Sequence, residues 1–122
     1  MTKFKAQGFN NTFKNAREGF RLVLKSEMNV RIHVAIATFV VFLALFLKFS
    51  AIEFCLLLFV IGLVIVAEML NTAIEFTLDS IYHNKYSRMV GMAKDISAGA
   101  VMFASFIRVL VGLVLFGNKL FF

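Results

Sequence analysis

No proline interrupts this sequence, so no long run in it carries a forced helix break. Tryptophan is absent and tyrosine occurs only twice, so the aromatic belt that often marks a membrane interface is thin. A single cysteine, Cys55, excludes an internal disulfide. Its apolar neighbours, Phe54 and Leu56, make it a small packing or lipid-facing residue. Acids are scarce as well: seven Asp and Glu stand against thirteen Lys and Arg, a net charge of +6. The basic residues border apolar runs and form no patch with stacking aromatics, which argues against a nucleic-acid surface. There is no G-x-x-x-x-G-K-[ST] loop and no protein-kinase motif. A cleavable leader is not expected either, because roughly thirty fairly polar residues precede the first long apolar run.

What is present is apolar and unevenly spread. The 122 residues suggest one domain, 1–122. They are 61% hydrophobic and include sixteen phenylalanines, with a mean hydropathy of +0.87. Soluble domains are about 45–50% apolar. The excess lies in three stretches, each near the roughly 20 residues needed to cross the hydrocarbon of a bilayer. We read membrane spans over about 32–48, 52–81 and 96–116. The fold class is therefore all-α and membrane-embedded. His33 and Lys48 can reach toward water from the ends of the first span. Asn84 marks the turn between the second and third.

Ahead of the first span, Phe13, Ala16, Phe20, Val23 and Leu24 recur at helical spacing among Lys14, Arg17, Glu18, Arg21 and Lys25. This predicts an amphipathic helix over about 9–29, lying on the membrane surface. The alternative is a polar tail that folds on a partner. Lys3, Lys5, Lys14, Arg17, Arg21, Lys25 and Arg31 precede the first span, and Lys85, Arg88 and Lys94 lie between the second and third. Only Lys48 and Lys119 fall on the opposite side. The positive-inside rule then puts the N-terminus and the second loop in the cytoplasm. It also explains the positive charge, through attraction to anionic lipid.

The second span ends in AEMLNTAIEFTLD. With Glu68 as origin on a helical wheel, Asn71 falls at about −60°, Glu75 at about −20°, Asp79 at about +20° and Thr72 at about +40°. Five polar residues thus share one face near the cytoplasmic boundary. An ordinary helix end facing water would explain Asp79 and Glu75. It does not explain Glu68 and Asn71, which lie among Val66, Ala67, Met69 and Leu70. Ionisable groups at such depth are costly and need a partner, a cation or a shared proton. The next element, AKDISAGAV, offers Asp95 or Ser97 as a helix cap and Lys94 beside the free N–H groups of a first turn, a suitable phosphate site. Lys94 alone would be an interface lysine. Glu27, on the same side, could join an oxygen cage for Mg²⁺. A carboxylate set that holds a divalent cation, facing a cationic phosphate site, is what phosphoryl transfer requires.

The strings E-x-x-N-T-A-I-E (68–75) and A-K-D (93–95), with FKNAREGF and SEMNVRIH upstream, resemble the prokaryotic diacylglycerol kinase family, which includes undecaprenol kinases. The resemblance covers essentially the whole chain. It implies a homotrimer in the bacterial cell membrane, with three spans and a surface helix per subunit. It also implies that Glu68 is the catalytic base, that Glu27 and Glu75 bind the magnesium of Mg-ATP, and that Lys94, Asp95, Asp79 and Tyr86 contact the nucleotide. Asn71, with Ser97, would support the base and the substrate. Arg31–His33 and the DISAGAV run resemble the undecaprenol kinase branch, so the expected acceptor is undecaprenol, with diacylglycerol as the alternative. Two readings from other classes remain: a small proton- or cation-coupled transporter, and a structural subunit of a membrane complex. Arg108 is expected to reach outward or to pair between subunits, and His33 and His83 to be interface residues.

Overall fold

The computed structural model describes residues 8–83, 85 and 87–122. Lys3, Lys5, Asn84 and Tyr86, named above, lie outside the described residues. Within them all regular structure is helical: α1 (Phe9–Ser26), α2 (Met28–Phe46), α3 (Ala51–Tyr82) and α4 (Arg88–Phe121). Three of these, α2, α3 and α4, are long and apolar enough to cross a membrane. At 1.5 Å per residue, α3 and α4 run to roughly 50 Å, longer than the roughly 30 Å of hydrocarbon. Each therefore extends beyond the apolar layer.

The helix ends follow from local chemistry. At Glu27 the backbone is extended (φ −116°, ψ 111°), so α1 stops before the 29 expected from its pattern. Arg31, one turn into α2, donates to the carbonyl oxygens of Leu24 (3.1 Å) and Lys25 (2.9 Å). It thereby satisfies acceptors that the end of α1 leaves free. After α2, Lys48 takes a left-handed conformation (φ 60°). Its N–H bonds the carbonyl of Leu45, and the N–H of Phe49 bonds that of Ala44. This is a Schellman closure with lysine where glycine is usual. Helix α3 then opens with a capping box. Ser50 Oγ accepts from Glu53 N (3.2 Å), and Glu53 Oε1 accepts from Ser50 N (2.8 Å). Lys119, in the last turn of α4, reaches the same carboxylate at 3.1 Å. It locks the ends of α3 and α4 together.

The core at this end is Ala44, Leu57 and Leu115, with Phe49 and Phe116 packed over it. Those two rings sit 4.9 Å apart, centroid to centroid. Along α3 the buried residues are Leu57, Val60, Val64, Glu68 and Thr72, a single stripe at three- and four-residue spacing. On α4 they are Val90, Ser97, Ala104 and Leu115. The α3 and α4 stripes face each other as antiparallel neighbours, with α2 alongside α3 and α1 touching both α2 and α3. Large side chains such as Phe39, Phe42, Phe59, Met102 and Phe103 point outward, each about two-thirds exposed or more. A water-soluble surface does not carry an apolar patch of that extent.

Candidate active site

The antiparallel order brings the start of α2, the late turns of α3 and the early turns of α4 to one end of the molecule. Each of those segments carries polar side chains that a span interior excludes. The apolar stripe of α3 continues without a change of face into Glu68 and Thr72, so a carboxylate occupies a core position. Glu68 is 8% exposed and Thr72 5%. Thr72 Oγ1 donates to the Glu68 carbonyl at 3.0 Å, which satisfies its hydroxyl within its own helix.

The Glu68 carboxylate is not alone. His33, on α2, brings Nε2 to 3.1 Å from Glu68 Oε1. Arg108, on α4, brings Nη1 to 2.8 Å from His33 Nδ1. Of the two placements expected for Arg108, outward or paired between subunits, the chain shows neither. Arg108 turns inward to a partner in its own chain, because a half-buried guanidinium needs an acceptor and the imidazole nitrogen is the one within range. His33 stands between the two side chains. No buried side-chain N or O atom among the described residues lacks a hydrogen-bond partner.

One turn further along α3, Asn71 Nδ2 donates to Glu75 Oε1 at 3.0 Å. Ser97 Oγ, from α4, donates to Asn71 Oδ1 at 2.6 Å. Ser97 and Asp95 were expected as caps, but α4 begins at Arg88, with Ser87 as its cap and Ser87 Oγ accepting from Val90 N at 3.2 Å. Asp95 and Ser97 consequently lie inside the helix. Ser97 is buried against α3, while Asp95 is exposed. Another turn along, Lys94 Nζ sits 2.8 Å from Asp79 Oδ1, both side chains 38% exposed.

Beyond that ion pair lies a cleft of about 240 Å³ between the end of α3 and the start of α4, lined by Asp79, Tyr82, Lys85, Gly91, Lys94 and Asp95. The first turn of α4 borders this cleft through Val90 and Gly91, whose N–H groups bond Ser87 Oγ and the Ser87 carbonyl, so the helix start expected near residue 95 lies at Arg88 instead.

Glu27 sits half-buried at the α1–α2 junction. Among the described residues, no three His, Cys, Asp or Glu side chains converge into a ready-made metal site. The donors still suit Mg²⁺. Glu75 has one oxygen engaged by Asn71 and a second left over, and magnesium usually takes one or two protein carboxylates and completes its shell with water and phosphate oxygens.

The structure thus joins Glu68 to His33 and Arg108, Asn71 to Glu75 and Ser97, and Asp79 to Lys94, in one polar seam. The His33 and Arg108 links are not readable from helical spacing, because they cross between elements. Their only signal in the sequence is an ionisable residue in each of two apolar spans that also face a third span bearing one.

The profile of prokaryotic diacylglycerol kinases matches residues 14–116. Among similar proteins, the undecaprenol kinase of Bacillus subtilis is 35% identical over 112 residues, covering 92% of this chain and 90% of that protein. The diacylglycerol kinase of Escherichia coli is 32% identical over 111 residues, 88% of this chain and 90% of that one. The diacylglycerol kinase of Synechocystis sp. is 34% identical over 101 residues, 83% of this chain and 58% of its own length. The seam of Glu68, Asn71, Glu75 and Lys94 lies wholly inside the matched segment, and the chain belongs to the prokaryotic diacylglycerol kinase family.

Proposed function

We propose that the chain transfers the γ-phosphoryl group of ATP to the hydroxyl of a membrane lipid alcohol, undecaprenol. The observation that carries this reading is the buried carboxylate of Glu68, held at the same end of the bundle as a cleft lined by two lysines. A lipid hydroxyl arriving from the bilayer meets a base, and a nucleotide arriving from water meets cations. The choice of undecaprenol over diacylglycerol is supported by the higher identity to the Bacillus subtilis undecaprenol kinase, 35% against 32% for the Escherichia coli diacylglycerol kinase at similar coverage.

In this mechanism the lipid oxygen attacks the γ-phosphorus in line and its proton passes to the Glu68 carboxylate. The bond between γ-phosphorus and the bridging oxygen breaks, and that oxygen leaves with the electron pair on ADP. Lys94, and with it the start of α4, takes up charge that spreads over the phosphoryl oxygens. Asn71 and Ser97 hold Glu75 and keep the α3–α4 seam at fixed register. Asp79 lines the nucleotide cleft and orients Lys94. Asp95 faces the same cleft, and Tyr86 is a nucleotide contact by the family resemblance alone. Glu27 and Glu75 would hold Mg²⁺, whose chemistry is to draw charge from the phosphate oxygens and fix their orientation.

The wider arrangement belongs to the same proposal. Residues 1–122 form one domain, with α1 on the cytoplasmic surface of the membrane as an amphipathic helix. The N-terminus and the α3–α4 loop are cytoplasmic by the distribution of Lys and Arg. Much of the apolar surface is left uncovered by the chain itself, and one subunit is too small to enclose two substrates. A homotrimer with shared sites accounts for both.

The test is phosphate transfer from labelled ATP by purified protein in detergent micelles, with undecaprenol and diacylglycerol offered separately and in competition. Undecaprenyl phosphate as the main product is expected. Phosphatidic acid as the main product would overturn the acceptor, and transfer to neither would overturn the kinase.

A further inference from the structure

The Glu68 carboxylate has two neighbours that its role as a base does not call for, and their order along the contact is informative. A guanidinium can only donate hydrogen bonds. Arg108 Nη1, 2.8 Å from His33 Nδ1, therefore requires that Nδ1 be the bare, accepting nitrogen of the ring. The ring proton must then sit on Nε2. That nitrogen is the one 3.1 Å from Glu68 Oε1, so it donates to the carboxylate. A doubly protonated ring would turn an N–H toward the guanidinium, whereas the singly protonated ring fits both contacts. The neutral ring is also well aligned electrostatically. Its electron-rich nitrogen faces the positive group and its N–H faces the negative one.

We propose that Arg108 and His33 are positioning residues for Glu68. Arg108 fixes the tautomer of His33, and His33 in that tautomer holds one carboxylate oxygen so that the other is turned to the lipid hydroxyl. The inference rests on the reading of Glu68 as the base in lipid phosphorylation. It also adds something to that reading. Because Nδ1 is occupied by Arg108, His33 has no site for a second proton, and the proton taken from the lipid stays on Glu68 until it leaves to water or product. Arg108 further supplies the counter-charge that a buried carboxylate needs, one ring away instead of in direct contact, so Glu68 keeps an open oxygen and is not closed by a bidentate clamp. This also accounts for an arginine within an apolar span, where an ionisable side chain is rare and tends to be functional. Arg108 and His33 line one end of an apolar groove of about 570 Å³ whose other lining residues are almost all hydrocarbon. The polar chain is thus reached from the bilayer side.

Two measurements on the full-length protein in micelles test this. The first is nitrogen NMR on protein labelled in its histidines, with His83→Gln used to leave His33 alone. The expected pattern is a neutral ring with its proton on Nε2, identified by couplings to both carbon-bound ring protons. In Arg108→Met, which keeps the stem and removes the donor, that tautomer preference is expected to be lost. An imidazolium, or a proton on Nδ1 in the parent protein, would overturn the proposal, as would an unchanged ring in Arg108→Met.

The second measurement is steady-state turnover. Arg108→Met should lower kcat by roughly 10- to 100-fold, the scale seen when the partner that orients a histidine is removed, with KM for ATP unchanged. Arg108→Lys, which restores a single donor of similar reach, should recover most of the loss. Equal turnover in the Met and Lys variants would overturn the positioning role, and so would a change confined to KM. If Arg108→Met does not fold, the parent spectrum and Arg108→Lys still decide. No transfer by the parent protein would overturn the kinase reading beneath the proposal, while the nitrogen spectra would separately decide the hydrogen-bond order.

Discussion

Glu68→Gln is the sharpest perturbation of the proposed chemistry, because the surroundings of Glu68 separate its chemical role from its structural one. Oε1 lies 3.1 Å from His33 Nε2, the nitrogen proposed to donate to it. A glutamine amide oxygen can accept the same bond at the same place, and the donor order along Arg108 and His33 forces the oxygen, not the nitrogen, toward the ring. Glu68 is 8% exposed, and the amide has nearly the same volume, so no cavity opens. Stability should therefore fall by only about 1–2 kcal/mol, the difference between a hydrogen bond to a charged and to a neutral acceptor. What is lost is a group able to take the lipid proton, and removal of a positioned base typically costs about 10²–10⁴ in rate. The expected result is a kcat lower by about that factor, with KM for Mg-ATP within about twofold, because the nucleotide cleft is unaltered. Glu68→Ala is the control. It leaves the His33 N–H without its acceptor in a buried place, a cost of about 1–3 kcal/mol. The assay is transfer of labelled phosphate to undecaprenol in micelles, with thermal denaturation measured in the same detergent. A Glu68→Gln variant that turns over at more than about a tenth of the parent rate would refute Glu68 as the base.

Three further outcomes follow from the same seam and its far end. Ser97→Ala removes the donor 2.6 Å from Asn71 Oδ1; it should cost about 1–3 kcal/mol and, by loosening Asn71 on Glu75, shift the magnesium dependence of the rate to higher concentration, as a magnesium titration would read. Lys94→Met should raise KM for ATP by roughly 10- to 100-fold, the worth of a hydrogen bond to a charged group. Its effect on the melting midpoint should be small, because the pair with Asp79 is over a third exposed. Ser50→Ala breaks the capping box at the opposite end of α3 and should lower stability by about 1 kcal/mol. It should leave KM and kcat alone, and a loss of turnover at full folding would contradict the assignment of all chemistry to the other end.

How much of this is legible in the sequence depends on whether the relevant interaction is local. The three spans are legible because hydrocarbon thickness sets a length that the apolar runs either meet or do not. The face shared by Glu68, Asn71, Glu75 and Asp79 is legible because it lies within one helix, where spacing alone decides direction. The break at Glu27 is not legible. It depends on Arg31 reaching back to carbonyls that belong to the preceding helix. The true start of α4 is missed for a related reason. Polar residues from Arg88 to Asp95 look like loop by hydropathy, yet they are helical because the part of α4 beyond the apolar layer packs on the equally long α3. Moving that start from Ile96 to Arg88 changes what Ser97 does: a residue suited to capping becomes a buried donor to Asn71, and Ser87 takes the cap. The Arg108–His33–Glu68 chain is least legible of all, since its three members lie on three helices and are separated by 35 to 75 positions. Yet the physics that hides the pairing also constrains it. An ionisable group in a span must find a partner inside the protein, and once the topology brings the start of α2 and the middle of α4 against the same face of α3, the arginine, the histidine and the glutamate have one another within reach. The distribution of charge among apolar spans therefore carries tertiary information that helical periodicity, taken one element at a time, does not.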